Sequence, residues 1–275
     1  MEAYNSLLDL IEALEAGHRY HISVVFPGRQ GSRAMVLPAA HTIHATPFCD
    51  AVKQRPRGLE RCLRCKSLAM EKCSRTRKAF GGLCINGVYE YCHPVILRDG
   101  VFCVVFIGNI LRNRAAFLEK NRLAPEDPLP DTLEPDMTEA RCAQIAGILD
   151  SYIRMLYRLS PETSQKETLN AVVLALQGYL DHYFTQDISL AQLARGYHYN
   201  EKYLGRLFRK QLGVSFSDYR NEKRLAYGKN LLVQSEATVL DVAARAGFRN
   251  IAYFNRLFKR RYGMTPTEFR RKNLR

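Results

Sequence analysis

Apolar and polar positions follow two different periods along this chain, and the change of period divides it. From Tyr4 to Glu15 the apolar residues recur at helical spacing, and HISVVF, from His21 to Phe26, reads as a strand. Pro27, Gly28 and Gly31 mark a turn, and a second strand is expected around Ala34–Leu37. Helices are expected near 47–54 and 59–79. Two apolar β runs follow, VYEYCHPVIL and VFCVVFIGNI, joined by Arg98-Asp99-Gly100, and Asp-Gly between such runs is a hairpin signal. AAFLEKNRL then reads as a helix, and Pro125, Pro128, Pro130 and Pro135 make a loop. Together these elements predict an α+β domain.

Beyond this loop the period is helical throughout. Residues 137–159 form one long helix, with Ile145, Ile148, Leu149, Tyr152, Leu156 and Leu159 at helical spacing. Such a stripe packs against its own domain, or serves as a dimer or signalling helix. SPETSQ is a short linker, and a helix near 167–184 opens an all-α domain. The domains are therefore placed at 1–135 for the α+β part, 136–166 for the helix and linker, and 167–275 for the helical part.

The helical part repeats itself fifty positions on. Leu190 meets Leu240, Ala194 meets Ala244, and Arg195 meets Arg245. Asn200 meets Asn250, Tyr203 meets Tyr253, and Arg206 meets Arg256. Leu207 and Phe208 meet Leu257 and Phe258, Gly213 meets Gly263, and Arg220 meets Arg270. Each copy reads as a short helix, a turn, a second helix and a glycine stop. Ser189 with Gln192 is a capping-box start, and Asn200 and Asn250 are good N-caps for the second helices.

Those second helices have one apolar and one polar face. Leu204, Leu207 and Phe208 face inward, while Lys202, Arg206 and Arg209 share the opposite face, with Lys210 beside them. In the second copy Phe254, Leu257 and Phe258 pack inward, and Ala252, Asn255, Arg256 and Lys259 face out. Arg pairs bidentately with guanine, Asn with adenine, and Lys reaches a base edge or a phosphate. Between the copies a helix of about 17 residues spans roughly 25 Å. A strut of that length sets two recognition helices about 34 Å apart, one turn of B-DNA.

Charge supports this reading. The net charge is +14, with 20 Lys/Arg against 10 Asp/Glu in residues 161–275 but 21 against 17 in residues 1–160. The excess sits on the repeated half, where phosphate would be bound. There is no run of eighteen apolar residues, and the N-terminal segment has no basic n-region, so a cytoplasmic location is expected. No nucleophile elbow, phosphate-binding glycine loop or paired-carboxylate signature is present, which argues against an enzyme.

All eight cysteines lie between Cys49 and Cys142. In a reducing cytoplasm they are thiols, metal ligands or redox sensors. Cys62-x-x-Cys65, with Cys49 and Cys84 nearby, makes a candidate cluster: thiols at a small-molecule pocket, ligands of one zinc ion, or small buried residues. A redox reading would need low-pKa thiols beside Arg61, Arg64 and Lys66. Cys84, Asn86, Tyr89, Tyr91 and His93 are candidate pocket residues, since polar side chains on β runs can face a cavity.

Residues 167–271 resemble the AraC/XylS-type DNA-binding domain, through ISLAQLARGYHYNEKYLGRLFRKQLGVSFSDYRNEKRLAYGKNLL and VLDVAARAGFRNIAYFNRLFKRRYGMTPTEFRR. The closing block, Gly247-Phe248, Tyr253-Phe254, Phe258-Lys259, Gly263, Thr265-Pro266 and Phe269-Arg270, is specific to that family. The resemblance implies seven helices with two helix-turn-helix units, and base contacts from Lys202, Arg206, Ala252, Asn255 and Arg256. One departure is Gly205, where many relatives carry a side chain that reaches DNA.

The first half resembles the PocR-type sensory domain, a variant of the PAS fold, through FCDAV, ERCLRCKSLAMEKC, LCINGVYEYCHPVIL and DGVFCVVFIGNIL. That resemblance implies a sensor of small hydrocarbon derivatives such as diols. It departs from the family at Ile85, where relatives often have histidine. The function expected is a DNA-binding transcription regulator under small-molecule control, with a metal- or redox-responsive regulator as the alternative. The partners expected are promoter DNA, an effector, a second copy of the chain and, for an activator, RNA polymerase.

Overall fold

The computed structural model describes residues 6–27, 33–38, 40–55, 57–98, 100–135, 137–159, 171–197 and 199–273. The linker SPETSQ and the first residues of the helix expected at 167–184 lie outside them. The chain divides into two compact units, residues 1–178 with 193–199, and residues 179–192 with 200–275. No helix among the described residues is long and apolar enough to cross a membrane.

In the first unit, α1 (Leu7–Glu15) starts from a capping box in which Ser6 and Asp9 satisfy each other's backbone N–H. Strand β1 (His21–Val25) follows. Residues Arg33–Met35 form a 3₁₀ turn where a strand was expected. Met35 and Leu37 drop into the core as side chains instead of pairing at the sheet edge. Helices α2 (Ala40–Ile43), α3 (Pro47–Gln54) and α4 (Gly58–Thr76) come next. The sheet continues with β2 (Phe80–Leu83), β3 (Tyr89–Leu97) and β4 (Gly100–Leu111). Then come α5 (Arg114–Asn121), β5 (Glu134–Pro135) and α6 (Glu139–Leu159).

The strand order is β1-β4-β3-β2, all antiparallel, with β5 parallel to β4. Leu97 pairs with Gly100, so β3 and β4 form the expected tight hairpin. Both faces of this sheet are covered. Ile22, Val24, Tyr91, Val95, Val105 and Ile107 join α1 and α6 in the main core. Val25, Cys92, Val104 and Phe106 join Met70 and Cys73 of α4 on the other face. On α6, Ile145, Leu149 and Leu156 are buried in the main core, but Ile148 and Leu159 of the expected stripe are exposed.

Helix α7 (Ala171–Tyr183) precedes the repeated part. Helices α8 (Leu190–Gly196) and α9 (Glu201–Leu212) form one copy, α11 (Val239–Arg245) and α12 (Ile251–Tyr262) the other. Helix α10 (Phe216–Gln234) lies between them, and α13 (Pro266–Asn273) closes the chain. The repeat extends to its caps. Gly213 and Gly263 end α9 and α12 with φ of 76° and 75°, the left-handed geometry that glycine adopts without Cβ strain. The second copy packs Leu225 and Leu232 of α10 against Val242, Phe254, Leu257 and Phe258.

Candidate functional site

The second unit presents two basic helix faces. On α9, Lys202, Arg206, Arg209 and Lys210 are all exposed, while Leu204 and Phe208 are buried. On α12, Ala252, Arg256 and Lys259 are exposed, while Phe254, Leu257 and Phe258 are buried. Asn200 and Asn250 accept the backbone N–H of Tyr203 and Tyr253 at 3.2 and 3.0 Å. Each exposed helix start therefore has one of its spare N–H groups satisfied, and the others point outward. Arg256 lies over the Tyr253 ring at 5.3 Å, which fixes its stem while the guanidinium stays exposed.

Two expected groups are placed differently. Asn255 is half-buried, less open than Arg256, and its Oδ1 is buried without a hydrogen-bond partner. Gly205 faces α8, not the open side: a Cβ there would come within 3.1 Å of Leu190 Cδ2. Helical periodicity puts 205 at the boundary between the two faces, and packing decides its side.

In the first unit the candidate pocket residues do not converge. Cys84 packs beside Val88, Phe117 and Leu133, and the Asn86 backbone N–H reaches its sulfur at 3.4 Å. Tyr89 and Tyr91 are buried on the α6 side of the sheet, where the Tyr89 hydroxyl donates to Glu139 at 2.7 Å. His93 Nε2 lies 4.0 Å from Asp150 of α6. These side chains build the core and its rim.

The opposite face of β3 carries a polar nest instead. Glu90 lies 3.4 Å from His44 Nδ1. Lys66 donates to the Ser23 hydroxyl at 3.1 Å, with its ammonium 4.3 Å from the Phe106 ring centre. Lys53 is 1% exposed and donates to the carbonyls of Ile43 and His44 at 3.1 and 2.6 Å. His44 Nε2 is buried without a partner. Burial pushes Glu90 up, against the pull of Lys66 and Lys53, and burial pulls Lys66 down. Burial, then His21, Lys66 and Lys53, drives His44 well below 6.5, so it is neutral.

The cysteines are free thiols, and burial raises them. Cys49 is pushed up to about 11 and Cys84 to about 12, while Cys62 and Cys65 are also raised. The redox reading calls for lowered thiols, and here burial outweighs the neighbouring lysines. Among the described residues, the group of three or more ligating atoms within 4.8 Å is Glu15, His21 and His41, and Cys49, Cys62, Cys65 and Cys84 form no such group. Lys53 and Lys66 also stand within reach of Cys49 and Cys62, so cations share that space. The histidine group is a hydrogen-bond network. His21 Nε2 faces the Ala40 carbonyl at 2.9 Å, and His41 Nδ1 faces that of Ile22 at 2.8 Å, which ties α2 to β1.

Residues 35–160 match the sensory domain found in PocR, and residues 193–272 match a helix-turn-helix domain. The chain carries an AraC-type helix-turn-helix domain and a PocR sensory domain. The HTH-type transcriptional activator RhaR of Yersinia pseudotuberculosis is 35% identical over 159 residues, 56% of this chain and 51% of that protein. The chain thus spans about half the length of this relative. The HTH-type transcriptional regulator YtdP of Bacillus subtilis is 35% identical over 91 residues, 33% of this chain and 12% of that protein. The C-terminal domain of AraT, a response regulator from Geobacillus stearothermophilus, is a solved structure with 28% identity and a TM-score of 0.37, covering 38% of this chain and 88% of that one.

In the first unit, the buried polar groups that the sequence did not single out are Ser23, His44, Lys53 and Glu90. A signal for Glu90 was present: it is the one charge inside the apolar run VYEYCHPVIL. Lys66 follows the C-x-x-C pair directly, and the sequence marked it only as a charge beside the thiols.

Proposed function

We propose that this chain is a DNA-binding transcription regulator controlled by a small molecule. The observation that carries the proposal is the fifty-residue repeat. Two 12-residue helices, each capped by asparagine and closed by a left-handed glycine, present basic outer faces in the same phase. On this reading α8–α9 and α11–α12 are two helix-turn-helix units. Helix α10, at 19 residues, is a strut of about 28 Å between them. Lys202 and Arg206 read one major groove and Arg256 the next, with Arg209, Lys210 and Lys259 toward the phosphates. Asn200 and Asn250 offer helix N-termini to the backbone.

The domain scheme proposed is a PAS-variant sensor at 1–135, a relay helix and linker at 136–166, and the DNA-reading domain at 167–275. The effector site inferred is the nest of Ser23, His44, Lys66 and Glu90. Buried donors and acceptors with an unpartnered His44 Nε2 are what a small polar ligand needs, and polar groups buried at this cost call for a use. Exposed Ile148, Met155 and Leu159 on α6 support a second copy of the chain as partner. Differential effector affinity between two arrangements would change operator affinity.

The test is binding of the full chain to duplex DNA across salt. Contact with about five or more phosphates predicts a log–log salt slope of about −5 or steeper. Absence of duplex binding at low salt would overturn the proposal.

A further inference from the structure

The repeat supplies an internal control for one arginine. Arg220 and Arg270 stand at equivalent positions, and both hold the carbonyl just before the first helix of their copy. Arg270 donates to Ala237 at 2.5 Å and Arg220 to Ile188 at 2.5 Å. Arg270 also spends its Nε on the Leu232 carbonyl at 3.2 Å. Arg220 Nε is buried and has no partner. The two copies also differ one turn further on. The first copy has Arg224 where the second has Leu274, and Arg224 takes the carbonyls of Phe184 and Gln186 at 2.6 and 2.7 Å. One donor of the first copy is left over.

Arg220 lines a cleft of about 730 Å³ between α10 and the head of α12. Four arginines face the cleft, Arg220, Arg224, Arg249 and Arg256, with one aspartate, Asp187. Asp187 is already held by Arg249 at 2.6 Å. Asn221 stands beside them and donates to the Tyr253 hydroxyl at 3.1 Å. Burial, then Arg220, pulls Arg224 down to about 10, as expected for crowded cations short of a counter-ion. The first turn of α12 adds outward N–H groups at the same place.

We propose that this cleft seats one backbone phosphodiester of the bound duplex, held by the guanidinium groups of Arg220 and Arg249, next to the bases that Arg256 reads. The inference rests on the DNA-binding reading above. It adds residues to that reading and gives Asp187 a role. The carboxylate competes with the phosphate for Arg249, so it holds down affinity for duplex of any sequence. A phosphate seat fixes register and carries no sequence information of its own.

The test uses the full chain and a labelled mixed-sequence duplex, titrated over a range of KCl concentrations. Asn221→Asp leaves every Arg220 contact in place and adds a carboxylate to the cleft. It should weaken binding roughly tenfold and reduce the magnitude of the salt slope by about 1. Asp187→Asn removes the competing carboxylate from an exposed pair and should tighten binding. Curves that overlay wild type for both variants, with melting temperatures unchanged, would overturn the seat while leaving DNA binding intact. If Asn221→Asp does not fold, Asp187→Asn decides alone, and unchanged or weaker binding overturns the proposal. Inorganic phosphate, exchanged for chloride at equal ionic strength, separates the other source. If it raises the melting temperature of wild type but not of Asn221→Asp while the DNA curves overlay, the cleft takes free phosphate. If wild type binds no duplex, the DNA reading fails and the seat falls with it.

Discussion

Asn200 and Asn250, fifty residues apart, make the same bond: each side-chain oxygen accepts the backbone N–H of a tyrosine three residues on, at 3.2 and 3.0 Å. The two caps start α9 and α12 at the same phase, which sets the basic faces of both helices. Asn200→Ala and Asn250→Ala should each cost about 1 kcal/mol of stability, and the corresponding glycine variants only a few tenths. Urea unfolding of the full chain checks this. Equal losses for alanine and glycine would mean the side-chain bond contributes nothing.

Arg206 and Arg256 are exposed on those faces. Arg206→Ala and Arg256→Ala should each lose about 1–3 kcal/mol on a preferred site and relax preference at different base pairs. If either substitution weakens all sequences equally, that arginine contacts phosphate.

His44 gives the PocR domain a pH dependence. Burial holds its folded pKa well below 6.5, so protonation favours the unfolded chain. Its stabilising share is complete above pH 6.5 and is lost as pH falls below that value. Urea midpoints of the full chain should therefore decline on acidification, and His44→Gln should flatten the decline. His93, also lowered by burial, keeps part of the slope with the same sign. An identical decline in His44→Gln would contradict the assignment.

The raised thiols predict slow chemistry. With Cys49 at about 11 and Cys84 at about 12, the thiolate fraction at pH 8 is on the order of a thousandth or less. Iodoacetamide should modify both slowly in the folded chain and rapidly in urea. Fast labelling of either in the folded state would reopen the redox reading.

The two halves of the chain differed in what their sequences revealed. In the AraC-type half the signals were local: caps, glycine stops and one apolar face per helix, so the Asn200 cap, the exposure of Arg206 and the Gly213 stop were legible. Gly205 and Asn255 sit at the edge of the helix face, where periodicity does not foretell the packing beside Leu190 or the burial of Oδ1. In the PocR half the sheet is covered on both sides, so alternation does not reveal which face is the core. The register of β3 against β4 also shifts between Tyr89 and Tyr91. Glu90 and the tyrosines were therefore assigned no side, and the nest of Glu90, His44 and Lys66 depends on contacts between segments up to 46 residues apart. Strand β2, with two glycines in four residues, carried no strand signal at all.

The central claim is that one chain reads DNA twice. Selection of bound sequences from randomised duplexes by the full chain tests it most directly. The account predicts two base clusters about ten base pairs apart, one erased by Arg206→Ala and the other by Arg256→Ala. A single contiguous motif, or loss of the same base pair in both variants, would contradict it.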